Sequence, residues 1–478
     1  MRAHVATIVF ALVSTPLFAQ SQPPVVTAED YARAEQFLGR STSPLVIGGT
    51  IRLTWISDDR AWYRATSAEG SEFRLIDAAT GSQGPVFDHA RLADALSAVA
   101  DTTYDGRALP FTQIEFPSDS ELAFQIRQTQ WVCDLDEYRC ASPPASRVPP
   151  DRNVVLSPDG TRAAFIREHN LWVREVTTGD ETQLTTDGIE DFGYATDNAG
   201  WTKSGRPVLV WSPDSRKIAT FQHDARGVGD MYLVTTEIGH PELEAWKYPL
   251  PEDSVIFRIS RVIIDVDAGR MVRLQLAPDQ HRSTICDHIR CGGTWADIDW
   301  AEDGSAVAFV STSRDHKDEY VRIADAETGA VRDVFEEHVE TFFESGYNTV
   351  NWHWLPKSNE FIWYSQRDNW GHLYLYDATT GEVKHQITSG DWNVLQLRRI
   401  DEENRTLFFT GAGREPGDPY FQYFYLIGMD GRGLTLLAPN SANHSVRLSP
   451  TGTYMVDSYS TPTIPAVTVL RDTDRGHV

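Results

Sequence analysis

Acyl transfer by a Ser-His-Asp set is the first chemistry to test, because all three residue types are scattered through the chain. That chemistry needs a serine on a sharp Gly-x-Ser-x-Gly elbow, which exposes the hydroxyl beside backbone N–H donors. The 478 residues contain no such elbow; "TGSQG" at Thr80 to Gly84 carries Thr where the first Gly should stand. No catalytic residue is therefore assigned. His353, His372 and His385 fall in or beside predicted strands, and no Cys/His/Asp spacing makes them metal ligands. No phosphate loop or dinucleotide fingerprint is present, so neither metal nor cofactor is expected. The four cysteines form two local pairs, Cys133 with Cys140 and Cys286 with Cys291. Local disulfides are the expectation for an exported chain. A zinc site is the alternative, but neither pair has a C-x-x-C knuckle.

The elements that would position such groups are strands. "VVLSPDGTRAAFIREHNLWVREVTTG" opens at Val154, and similar phrases follow: "LVWSPDSRKIATF", "DWAEDGSAVAFV", "HWLPKSNEFIWYS" and "VRLSPTGTYMVDSYS". The turns align near Asp58, Ser118, Asp159, Asp214, Asp303, Lys357, Glu402 and Thr451. The usual spacing is that of a four-stranded propeller blade, and the gap from Asp214 to Asp303 is about twice as long. A second phrase ends strands in an Asp/Thr-Gly turn: "FRLIDAATG", "LWVREVTTG", "VIIDVDAGR", "VRIADAETG" and "LYLYDATTG". Each unit reads strand, turn, strand, hairpin, strand. One blade cannot bury both faces of its sheet, whereas a ring of blades can. The Ser-Pro-Asp-Gly copies read as turns, not calcium loops, since no D-x-D-x-D-G string occurs.

Two helical segments interrupt the strands. "TAEDYARAEQFLG" carries Thr27 and Asp30 in capping-box spacing. "DHARLADALSAV" has helical apolar spacing at Leu92, Leu96 and Val99. "SQPP" and "SPPASRVPP" read as linkers or loops. Aromatic runs such as "NWHWLP" and "YFQYFYL" are expected in the core. The acidic, aromatic stretch Glu336 to Tyr347 reads as an exposed loop.

A net charge of -25 argues against nucleic acid, whose phosphates need Lys and Arg, and leaves some attraction for cationic peptides. The start, "MRAHVATIVFALVSTPLFAQ", has a basic residue, a short apolar run and a small-residue cleavage site. It reads as a secretory signal, and no transmembrane segment is expected. Export to the periplasm or beyond follows.

"FTQIEFPSD", "WSPDSRKIATFQHD", "WKYPLP" and "SQRDNWGHLYLYDATTGEVKHQITSGDW" resemble the N-terminal region of dipeptidyl peptidase IV and its bacterial relatives, in the prolyl oligopeptidase superfamily. The resemblance runs from about Ala28 to the C-terminus. It implies an eight-bladed, all-β propeller standing in front of an α/β-hydrolase domain and restricting access to peptides. It also implies an acidic segment that holds the substrate's free amino terminus. Here "EDFGYATDNAGW" keeps Asp191, Phe192 and Tyr194 but replaces the relatives' glutamate run with Ala195-Thr196-Asp197. Glu190, Asp191 and Asp197 are the candidate substrate-binding residues, set against the reading of this stretch as an inter-blade loop.

The expected organisation is a signal at 1–19, a helical segment at 20–44, the propeller at 45–470, and at 471–478 the start of a linker to an absent hydrolase domain. The expected function is the substrate-gating propeller of an exported serine exopeptidase, inactive alone. Its partners would be peptides or a separately encoded hydrolase, with homo-oligomers possible. The alternative is an autonomous exported propeller that binds peptides or a partner protein without chemistry.

Overall fold

The computed structural model describes residues 26–42, 45–49, 51–100, 102–142, 153–196, 204–236, 238–291 and 294–478. The proposed signal, 1–19, lies outside them. Among the described residues, eight antiparallel sheets of three or more strands follow one another along the chain in a β-propeller architecture. Sheets 1, 2, 3, 5, 6 and 7 each have four strands in sequence order; sheet 4 has six and sheet 8 has three. Sheet 1 starts at Leu53–Trp55, and sheet 8 ends with Ile464–Asp472.

Each repeated turn joins two consecutive antiparallel strands of one sheet. In sheet 3 the Ser157 hydroxyl donates to Asp159 at 2.6 Å and accepts from the Arg162 backbone N–H at 3.0 Å. Ser212 does the same to Asp214 and Lys217 in sheet 4. Gly160 has a positive φ, a left-handed position that glycine adopts without a steric penalty. The strands that lead into these turns also reach back to the preceding sheet. Trp211 Nε1 donates to the Val155 carbonyl at 3.2 Å, and Trp300 Nε1 to the Val210 carbonyl at 3.3 Å. Apolar clusters bridge neighbouring sheets, such as Ala164, Leu171 and Val173 of sheet 3 with Trp211, Ile218 and Val262 of sheet 4. Sheet 8 meets sheet 1 through Val456, Leu53 and Ala61.

Helix α1 (Ala28–Glu35) starts at a complete capping box between Thr27 and Asp30 and buries no side chain. A four-residue turn of helix, α2 (Gly39–Thr42), follows. Helix α3 (His89–Val99) lies between sheets 1 and 2. Its N-cap Asp88 accepts from the Ala90 and Arg91 N–H groups, each at 3.0 Å. That bond satisfies donors which the first turn would otherwise leave unpaired. Leu92, Ala93 and Leu96 are buried against Phe73, Phe111 and Phe124. Val99, expected on the same stripe, is exposed: it is the last residue of the helix, past the buried Leu92, Ala93 and Leu96.

The doubled interval between Asp214 and Asp303 has two causes. A two-stranded hairpin, Asp230–Thr235 with Glu242–Lys247, is inserted between two paired strands of sheet 4. A second insertion carries the Cys286–Cys291 bond and a minimal hairpin, Arg290–Cys291 with Thr294–Trp295. Cys133 is bonded to Cys140 across a register pair of adjacent strands in sheet 2.

The stretch Glu336 to Tyr347 is not simply an exposed loop. Its start belongs to the strand Val331–His338, and Glu337 and Phe343 are buried. Glu337 is inside because sheet 6 supplies its partners: Trp363 Nε1 and Arg367 each donate to it at 2.7 Å. The aromatic runs do pack: Trp352, Trp354, Tyr423, Phe424 and Tyr425 are buried, although Tyr420 is exposed.

Candidate functional site

Sheet 4 holds the acidic segment. Three side-by-side pairings set one row across its end: Phe192 with Asp224, Asp224 with Arg258, Arg258 with Gln280. Ile189 and Phe192 exchange backbone hydrogen bonds at 3.2 and 3.0 Å, closing a tight turn just before this row. Glu190 and Asp191 form its tip and both are exposed. Asp191 has a positive φ, a left-handed conformation that Asp tolerates better than most residues. Its carbonyl accepts from the Ala225 N–H at 2.8 Å, which ties the turn to the neighbouring strand. Asp197 lies outside the described residues, so Glu190 and Asp191 are the two candidates whose positions are seen together.

The residues behind the turn were missed in the sequence. Arg226 covers the Phe192 ring, its guanidinium carbon 3.8 Å from the ring centroid. A cation over an aromatic face is attracted by the negative π surface. The same guanidinium forks onto the Asp224 carboxylate at 2.9 and 2.7 Å. These hydrogen bonds hold the Asp224 carboxyl below its usual range. Tyr194 is buried and its hydroxyl donates to Asp187 at 2.8 Å. Burial, then the Asp187 carboxylate, pushes its phenol up to about 12. Arg273 braces the same tyrosine from the edge strand Arg270–Arg273 of sheet 4 while donating to Gln222 at 2.8 Å. The only local signal was Asp224-x-Arg226 at a strand end.

The arrangement can hold a cation. Arg226 neutralises Asp224, and the Glu190 and Asp191 carboxylates are left to face solvent. A protonated amine placed there gains charge-assisted hydrogen bonds.

Nucleophilic catalysis finds no such arrangement among the described residues. His444 and Asp457 form a buried pair at 2.7 Å. Such a pair is the orienting half of a triad. The other imidazole nitrogen bonds to the Asn440 carbonyl at 2.7 Å, and Arg471 occupies the far carboxylate oxygen. His372 touches the Thr388 hydroxyl at 3.0 Å, but its second nitrogen meets the Gly390 carbonyl instead of a carboxylate. Among the described residues no group of three or more His, Cys, Asp and Glu has the geometry to hold a metal ion.

Residues 111–466 match the sequence pattern of the dipeptidyl peptidase IV (DPP IV) N-terminal region. The chain belongs to that family. The match takes in sheets 2 to 7, most of sheet 8 and the acidic turn; sheet 1 and helices α1, α2 and α3 precede it. Among curated relatives, "Probable dipeptidyl-aminopeptidase B" of Aspergillus clavatus is 23% identical over 365 residues, covering 70% of this chain and 38% of that protein. The protein of that name from Neosartorya fischeri is 23% identical over 373 residues, covering 71% of this chain and 39% of its own. The chain thus spans about two fifths of the length of these relatives. Among solved structures, Porphyromonas gingivalis dipeptidyl peptidase 4 superposes with a TM-score of 0.59 at 18% identity, over 92% of this chain and 60% of that one. A candidate dipeptidyl aminopeptidase IV of Bacteroides ovatus gives 0.61 at 19%, over 89% and 59%. At such identities the structures report the shared fold. Among the described residues no helix is long and apolar enough to cross a membrane.

Proposed function

We propose that this chain is the substrate-gating propeller of an exported dipeptidyl-peptidase-IV-like serine exopeptidase, with the propeller at 45–470. The family match over residues 111–466 carries this reading. Hydrolysis falls to an α/β-hydrolase domain whose elbow serine is not among these 478 residues. The propeller's part is to admit peptides and to hold their amino termini at Glu190 and Asp191, with Asp197 as the third carboxylate. The leader-like "MRAHVATIVFALVSTPLFAQ" supports export. Exposed Tyr232, Val234 and Leu243 on the inserted hairpin support association with a hydrolase partner or a second copy.

A second reading is an autonomous peptide-binding propeller. The direct contact of sheet 8 with sheet 1, made by side chains of this chain alone, favours it.

The test is fluorescence anisotropy with a labelled Ala-Pro peptide, its N-acetylated form, and the Glu190→Gln/Asp191→Asn variant. The free amine should bind, and acetylation or the double substitution should weaken binding about tenfold, as expected for lost charge-assisted bonds. Equal affinity for both peptides overturns amino-terminal recognition. Release of dipeptide by the purified chain alone would overturn the assignment of catalysis elsewhere.

A further inference from the structure

A recess at the opposite edge of the sheet-4 row has a different character from the acidic turn. It is a cavity of ≈ 370 Å³ beside the Cys286–Cys291 loop. His281 lines it and is 4% exposed, yet neither ring nitrogen has a hydrogen-bond partner among the described residues. A buried polar atom without a partner is costly, and folded chains rarely keep two on one side chain. The ring packs against His223 at 4.9 Å and His288 at 6.0 Å. Burial drives the His281 pKa well down, so the imidazole is neutral and offers one donor and one acceptor.

Two guanidiniums flank it. Arg282 is 22% exposed; its Nη1 donates to the Asp287 carbonyl at 2.5 Å and lies 3.3 Å from that residue's carboxylate. Its Nε and Nη2 have no partner among the described residues, which leaves one edge of the fork for a ligand. Arg314 is committed elsewhere: it donates to the Asp253 and Leu250 carbonyls at 2.7 and 2.5 Å, fixing the loop that walls the recess. Its charge still acts on the cavity. The opposing carboxylate, Asp287, is exposed and largely screened by solvent. The recess is thus basic on a chain of net charge -25. Tyr248, Ile256 and Phe257 add an apolar wall.

We propose that this recess binds a monocarboxylate carrying an apolar or aromatic body, with Arg282 gripping the carboxylate and His281 donating to it. One available guanidinium edge suits a single negative charge. A phosphate dianion would call for more donors than the recess presents, and a cation would face two guanidiniums. This site is separate from the acidic turn and does not rest on the peptidase reading. The carboxylate can come from a free organic acid or from a peptide C-terminus.

Isothermal titration of the full chain with 3-phenylpropanoate tests it, against the neutral 3-phenylpropanamide and the tripeptide Ala-Ala-Phe with a free or amidated C-terminus. The acid should bind saturably and the amide about tenfold more weakly or less, as for loss of a charged acceptor. Preference for the free over the amidated tripeptide assigns a peptide source; binding of the small acid alone assigns a free acid. Arg282→Gln and His281→Phe should each weaken the acid about tenfold. His281→Phe should also melt no lower than the parent, because it removes two unpartnered nitrogens, and a merely structural histidine would not give that split. Arg282→Lys, keeping the charge and losing the fork, should fall between. Equal binding of acid and amide, no saturation of the parent protein below about 10 mM, or unchanged affinity in the folded variants each overturns the site.

Discussion

Asp58 in sheet 1 and Thr451 in sheet 8 are hydrogen-bonded across 393 residues: the Thr451 N–H donates to the Asp58 carboxylate at 3.0 Å, and the threonine hydroxyl also donates to it. Ser449 adds a third bond at 2.9 Å. Both partners sit in the repeated turn, so the device that shapes each blade also ties the last sheet to the first. Burial pushes the Asp58 carboxyl up, but these hydrogen bonds together hold it below its usual value. Its folded pKa is lowered, so its stabilisation is present above about pH 4 and is lost as pH falls through the folded value. Asp58→Ala should cost about 1–2 kcal/mol at pH 7 and progressively less at acid pH. Chemical denaturation at pH 7 and pH 3 measures both; an equal cost at the two values contradicts the assignment.

Glu319 runs the other way. It is fully buried in sheet 5, accepts from the Thr312 hydroxyl at 2.6 Å, and its second oxygen has no partner among the described residues. Burial pushes its carboxyl up to about 9. The folded chain therefore keeps a proton that the unfolded chain releases near pH 4, and stability falls as pH rises across that window. Glu319→Gln keeps the shape without the ionisation. It should unfold at a higher temperature than the parent at pH 8 and at a similar one at pH 4. Calorimetry at those values decides, and a variant less stable at both would refute it.

Glu337 tests how a buried charge is held. Trp363, Ser365 and Arg367 all donate to it from sheet 6. Glu337→Ala strands a half-buried guanidinium and a buried indole N–H, so it should cost ~3 kcal/mol or more. Pairing it with Arg367→Met should cost less than the sum of the two single changes. Additive losses in urea unfolding would show that the two residues act independently.

Much of the architecture was legible because it is local. All eight aligned turn positions, from Asp58 to Thr451, fall where one strand hands over to its antiparallel neighbour in the same sheet. The five Asp/Thr-Gly phrases all fall between consecutive paired strands. Turn chemistry and strand composition are properties of a few neighbouring residues, and they survive tertiary context. Glu337 was misjudged because its partners come from another sheet, and Val99 because a periodic stripe does not reveal where the core ends. At the candidate site, Glu190 and Asp191 could be named from the segment they occupy. The Arg226 cover on Phe192 and the Arg282–His281 recess could not, since sheet pairing brings them together.

The cysteines give a chemical prediction. Cys133 and Cys140 are both buried, opposite each other on adjacent strands of sheet 2. Peptide mapping of the non-reduced protein should find Cys133 linked to Cys140 and Cys286 to Cys291. Each loop is short, so removing one bond by paired Cys→Ser changes should cost only about 2–3 kcal/mol in the chain-entropy account. Cross-linked pairs or free thiols in both loops would refute the pairing.

The inserted hairpin should be dispensable for folding. Its flanking strands, Lys217–Asp224 and Arg258–Asp265, pair along all eight residues without it, and Asp224 opposite Arg258 is the final pair. The hairpin has its own register, Asp230 with Lys247 through Thr235 with Glu242. At its base the Tyr248 N–H donates to the Gly229 carbonyl at 2.8 Å, so the two ends of the insertion already lie side by side. Tyr232, Leu233, Val234 and Leu243 are exposed, which means that the hairpin buries little apolar surface of its own. A two-stranded ribbon without a core is marginal by itself and adds little to what it is attached to. Replacing residues 230–247 with one glycine should therefore change stability by less than about 0.5 kcal/mol. Residues 248–256 stay in place, so Arg314 keeps its two carbonyl partners. Amide exchange in the intact chain should be much faster in the hairpin than in Lys217–Asp224, because its hydrogen bonds open without disturbing the sheet. A melting temperature lowered by more than about 3 °C in the shortened chain would mean that the ribbon shares the cooperative core of sheet 4.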